Sequence, residues 1–134
     1  MGSEPTTSQS LVTLCTKIGS GATPRGGKDV YLDAGEFSLI RSQNVIDNSF
    51  STSGLVYIDS EAADKLKNVV VEQGDVLLNI TGDSVARCCQ VAEEVLPARV
   101  NQHVAIIRPN RKALNPRYLK YFLCLLYTSD AADE

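Results

Sequence analysis

The sequence predicts a strand-rich α+β domain with few short helices, and three observations point there. Its apolar residues fall in short, Val- and Ile-rich runs bounded by Gly, Asn, Asp and Pro, the pattern of strands between turns. Helix-start signals stand at only two places, Asp59-Ser60 and Asn115-Pro116. The 134 residues, 43% hydrophobic and 22% charged, suit one globular domain with its own core. That composition excludes wholesale disorder, collagen and coiled coil. No apolar run approaches the roughly 20 residues that a membrane-spanning helix needs.

Met1 to Ser10 is polar and reads as a disordered leader, residues 1–10. It lacks the charged-then-apolar pattern of a secretory signal, so a cytoplasmic location is expected. Leu11 to Ile18 is a short apolar stretch, a helical turn or a strand. Gly19 to Lys28 holds four glycines and Pro24, which argue against regular structure. Phe37 to Ile40 and Gly54 to Ile58 read as strands. Asp59-Ser60 caps a short helix, Glu61 to Leu66, with an acid in its first turn and Lys65 late, as the helix dipole favours. Val69 to Val71 is a further apolar stretch. Gln73-Gly74-Asp75 turns into Val76 to Ile80, a near-continuous apolar strand expected to be buried on both faces. Thr81-Gly82-Asp83-Ser84 is another turn. Val85 to Val91 and Val100 to Arg108 read as strands separated by Glu93 to Pro97. Asn115-Pro116 starts a helix whose apolar stripe is Tyr118, Leu119, Phe122 and Leu123. The run Cys124 to Glu134 breaks that helix abruptly and resembles translated sequencing-adapter read-through. Residues 124–134 are therefore expected to be non-native.

Thirteen Lys and Arg against sixteen Asp and Glu give a charge of −3. Without the tail acids Asp130, Asp133 and Glu134 the balance is neutral. A neutral domain can still carry one basic face. Of the cysteines, Cys15, Cys88, Cys89 and Cys124, the adjacent pair cannot form an ordinary bridge to each other. There is no CxxC spacing and one histidine, so no metal site is expected and reduced thiols are.

The glycine-rich loop is not a nucleotide cradle. Counting back from Gly27-Lys28 puts Ala22 where a P-loop needs glycine, and Asp29 follows the lysine. A dinucleotide fingerprint from Gly19 needs glycine where Pro24 stands. Arg25 and Lys28 in this loop still suit contact with a phosphate backbone, because glycines permit close approach. Two polar runs carry the side chains that pair with base edges in a major groove: Arg41-Ser42-Gln43-Asn44, and Asn101-Gln102-His103 at the start of a strand. A base-stacking platform is disfavoured by 6% aromatics and no Trp. Two readings compete with DNA recognition. One is a small cysteine-dependent hydrolase, with Cys88 or Cys89 as nucleophile, His103 as base and Asn101 or Asp83 as orienter. The other is a β-rich scaffold that binds protein through an apolar patch.

The order of motifs resembles a target-recognition domain of the specificity subunit of type I restriction-modification enzymes. The resemblance rests on Lys17-Ile18-Gly19-Ser20-Gly21-Ala22-Thr23-Pro24 as the opening loop, then Ile40 to Val45, Gln73 to Leu78, Thr81 to Arg87, Asn101 to Arg108 and Leu114 to Leu123. It spans residues 11–123, which it makes a DNA target-recognition domain incomplete at its C-terminus, with the spacer helix missing. It implies a non-catalytic chain without a cofactor of its own. Such a domain reads one half of a split site in double-stranded DNA. Its partners are the methylation subunits, which use S-adenosylmethionine, and the restriction subunits. The candidate DNA-binding set is Arg25, Lys28, Arg41, Gln43, Asn44, Arg87, Asn101 and Gln102.

Overall fold

A computed structural model describes residues 15–110. The leader, the helix starting at Asn115 and the tail after Leu123 lie outside them. Among the described residues are nine strands and one α-helix. In chain order these are β1 (Cys15–Ser20), β2 (Phe37–Ile40), β3 (Val45–Ile46), β4 (Ser49–Phe50), β5 (Val56–Ile58), α1 (Ser60–Lys65), β6 (Val76–Asn79), β7 (Cys88–Gln90), β8 (Ala98–Val100) and β9 (Val104–Pro109). The fold is α+β, strand-rich, with few short helices. No helix among these residues is long and apolar enough to cross a membrane.

Three sheets form. The four-stranded sheet runs β1-β9-β6-β7, the three-stranded one β5-β2-β8, and β3-β4 is a separate hairpin. All pairings are antiparallel except β2 with β8, which is parallel. Parallel partners need a long crossover, and here it contains β3 to β7.

The main core draws on both larger sheets: Leu39, Ile40 and Ile58 from one, Leu77, Cys89, Val104 and Ile106 from the other. The period of two along β6 explains how that strand is buried twice over. Leu77 enters the main core, while Val76 and Leu78 join a second cluster with Cys88 and Ile107. Helix α1 begins where its cap requires, the Asp59 carboxylate accepting the Ala62 N–H at 2.8 Å. It is anchored near its end by Arg99, whose Nε donates to the Ala63 carbonyl at 3.1 Å. Arg99 is buried, its guanidinium stacked 5.2 Å from the Phe37 ring centre. Desolvation lowers its basicity and Asp64 partly restores it.

Several elements differ from the sequence expectations. Val100 to Arg108 is not one strand. The Asn101 side chain accepts the His103 N–H at 2.9 Å, and the turn this makes passes the chain from β8 in one sheet to β9 in the other. Val85 to Val91 shrinks to β7, because the loop after β6 runs on to Arg87 and closes by Asn79 N–H to Arg87 O, 2.9 Å. That loop holds Ala86 at φ 78°. Val69 to Val71 forms no strand: Lys67–Val69 is a 3-10 turn and Val70 makes one bridge, to Arg99. The glycine-rich loop contains a 3-10 turn at Gly27–Val30, entered through Gly26 at φ 97°. The β3-β4 hairpin has no counterpart in the sequence reading. Its strands have two residues each, too short for a periodic signal.

Candidate functional site

Three loops converge at one end of β6. The Asn79 side chain ties two of them together, and the Ile80 N–H bonds the third at His103 O. Asn79 is buried, and its Nδ2 donates to Ser42 O at 3.1 Å, Val45 O at 3.2 Å and Ser84 Oγ at 3.1 Å. Around this anchor opens a cleft of about 360 Å³. Ser42, Gln43 and Val45 line one side, Thr81 to Ser84 and Arg87 another, and His103 closes it. Gln43 and Arg87 are exposed, so both can present their heads to a ligand. Asn79 was not singled out from the sequence. The available signal was a side-chain amide ending an otherwise apolar strand, where an unpaired buried amide is costly and must find partners.

The expected DNA-binding residues divide. Gln43 and Arg87 meet at the cleft. Asn44 does not face it. Asn44 has no exposed surface, its Oδ1 accepts the Arg41 N–H at 3.0 Å, and its Nδ2 donates to Ser51 O at 2.9 Å. Asn101 is also buried, its side chain spent on the turn between β8 and β9. Both amides build loops, so neither is available to a base edge. Arg41 is partly buried. Its Nη2 donates to Gly54 O at 2.7 Å and its guanidinium stacks 5.1 Å from the Tyr31 ring centre. It braces the 51–54 loop. Gln102 is exposed but occupied: its Oε1 accepts the Thr23 N–H at 3.0 Å and the Thr23 hydroxyl, and its Nε2 lies 3.3 Å from His103 Nε2.

Arg25 and Lys28 are exposed on the glycine-rich loop. Arg25 lines a second depression, of about 370 Å³, with Asp59 and Glu61 on its other wall. The loop and the cleft are physically joined. Thr23 bonds Gln102, Gln102 bonds His103, and His103 Nδ1 bonds the Thr81 hydroxyl. Asp83 is the acid lining the cleft, and three others, Asp33, Glu36 and Glu94, line a separate depression of about 570 Å³ that shares no residue with it.

The cysteine-histidine pair does not assemble. Cys88 and Cys89 are 0% and 1% exposed, in β7. His103 precedes β9, and β6 lies between those strands. One intervening strand puts the groups roughly 9–10 Å apart in the sheet plane, beyond proton transfer. Among the described residues, no group of three His, Cys, Asp or Glu side chains could hold a metal ion. No protein-family model matches the chain, and no curated protein matches it.

Proposed function

We propose that this chain binds double-stranded DNA sequence-specifically, reading one half of a split site as the target-recognition domain of a type I restriction-modification specificity subunit. The observation that carries the reading is the cleft. It brings Gln43 and Arg87, from two different loops, to one opening. Amide and guanidinium heads match adenine and guanine edges, and Asn79 ties together the two turns that carry them. The glycine-rich loop, tied to the same cleft, supplies Arg25 and Lys28 for phosphates, which position a protein on the duplex without reading it. On this reading the chain is non-catalytic and cytoplasmic. Its partners are the methylation and restriction subunits.

Selection from a random duplex library, followed by affinities on single-base variants at several salt concentrations, tests it. A short motif is expected to emerge. Gln43→Ala and Arg87→Ala should each cost roughly 1–3 kcal/mol at one position and far less on unrelated DNA. Arg25→Ala and Lys28→Ala should weaken all sequences alike, each lowering the salt slope by about one. Equal losses on every sequence for Gln43→Ala and Arg87→Ala would reject the base-reading assignment. No salt-dependent binding at all would reject the function.

A further inference from the structure

The bridge between loop and cleft has a fixed polarity. The Thr23 backbone N–H is a rigid donor, and it faces Gln102 Oε1 at 3.0 Å. That sets the amide the other way round toward the histidine, so Gln102 Nε2 presents its N–H to His103 Nε2 across 3.3 Å. The ring nitrogen there must accept, and it accepts only when unprotonated. The ring proton then lies on Nδ1 and is donated to the Thr81 hydroxyl. The backbone of His103 is pinned separately, its N–H to Asn101 Oδ1 at 2.9 Å and its carbonyl accepting from Ile80 N–H at 3.0 Å. A change of ring charge therefore acts on the bridge and leaves the turn in place.

We propose that His103 is a positioning residue whose neutral ring straps the glycine-rich loop to the cleft through Gln102, and that protonation releases the strap. An imidazolium sets N–H against N–H at the bridge. Gln102 is pushed off and Thr23 loses its partner's orientation. The charged groups facing the ring across the cleft are Asp83 and Arg87, both on the 81–87 loop. The 42–44 turn contributes Ser42 and Gln43, which do not titrate. On the loop side Thr23 is uncharged and Arg25 follows two residues later. The strap stands independently of what the site binds, whereas its effect on DNA rests on the proposed function.

The test uses the full chain in NMR between about pH 8 and pH 5, the range in which histidine changes charge. At the upper end the ring nitrogens should report the Nδ1–H tautomer, and the Thr23 amide should be protected from exchange. Acidification should lower that protection by roughly fivefold, the loss of one net hydrogen bond. Gln102→Leu should abolish the protection and its pH dependence together. His103→Asn should remove the pH dependence. Gln102→Glu is the decisive variant. A carboxylate still accepts from Thr23 but now bonds an imidazolium, so protection should rise as pH falls. Gln102 is exposed, and unchanged circular dichroism would show that these variants fold. An Nε2–H tautomer at pH 8, or the same pH trend in Gln102→Glu as in the native chain, overturns the strap. In DNA titrations the salt slope assigned to Arg25 and Lys28 should fall with acidification in the native chain and not in His103→Asn. A pH-independent slope with an intact NMR signature overturns only the coupling to DNA, and absent binding overturns only the function.

Discussion

Asn44 shows how a base-reading residue type can serve a different purpose. Its carbonyl and amide ends both bond backbone, within the one stretch from Arg41 to Ser53. Asn44→Ala would strand the Arg41 N–H and the Ser51 carbonyl, a cost of about 1–3 kcal/mol for groups left without partners in a buried turn. Thermal unfolding should record that loss while base preference on a DNA panel stays the same. A changed preference at full stability would return Asn44 to the reading set. Arg41→Ala should behave similarly, since its guanidinium holds Gly54 O and covers Tyr31. Which of these side chains open to solvent was thus only partly legible in the sequence. Residue type marks which side chains can hydrogen-bond a base, and Gln43 and Arg87 do open to solvent at the cleft. Burial withdraws Asn44 and Asn101, and burial depends on long-range packing that Arg41-Ser42-Gln43-Asn44 does not encode on its own.

Element boundaries were legible where chemistry is local. The Asp59 cap marked the start of α1, the short apolar run Phe37 to Ile40 marked β2, and the near-continuous apolar run from Val76 marked β6, which ends one residue sooner than expected, at Asn79. They were missed where a single side chain redirects the backbone, as Asn101 does between β8 and β9. Two glycines, one in β1 and one just past its end, offer a contrast. A Cβ on Gly21 would sit 1.9 Å from the Val100 carbonyl oxygen, and the Gly21 N–H donates to Asn101 O at 3.1 Å. Gly21→Ala must therefore push the loop off the β8–β9 turn, at about 1–3 kcal/mol or more for backbone displacement. Gly19, in β1, has open space around such an atom. Gly19→Ala should be neutral or stabilising by up to about 1 kcal/mol, through a less flexible unfolded chain. Denaturant midpoints for the two variants check this, and equal midpoints would show that the close approach at Gly21 is not needed. Asp59→Ala should cost about 1 kcal/mol as a lost cap, read in the same experiment.

At the scale of the molecule, separate segments are locked together by one arginine. Arg108, near the end of β9, donates through Nε to Asp75 Oδ1 at 2.8 Å and through Nη2 to Asp75 Oδ2 at 2.9 Å. Nη2 also donates to Val70 O at 2.8 Å, and Nη1 lies 3.1 Å from Glu72. This single side chain ties β9 to the turn before β6 and to the segment after α1. The Asp75 side chain is 1% exposed, and the Arg108 guanidinium is the opposite charge set against it. Arg108→Met should therefore cost about 3–5 kcal/mol, because it leaves a buried carboxylate, bonded by the Glu72 N–H, without its opposite charge. Adding Asp75→Asn removes the stranded charge, so the double variant should be less destabilised than the two single losses added together. The sign with pH follows from the guanidinium. Its hydrogen bonds to Asp75, and then the nearby charges of Asp75 and Glu72, outweigh desolvation and raise an already strongly basic group. A raised folded value means a contribution fully present below the unfolded value and lost only as pH climbs through the folded one. Both lie in strong alkali, so Arg108's own titration adds no pH dependence between about pH 6 and pH 9. Urea unfolding of the native chain, both single variants and the double variant at pH 6, 7.5 and 9 measures both points. Additive losses, or an Arg108→Met cost below about 1 kcal/mol, would mean that packing around β6 and β9 holds these segments without the ion pair.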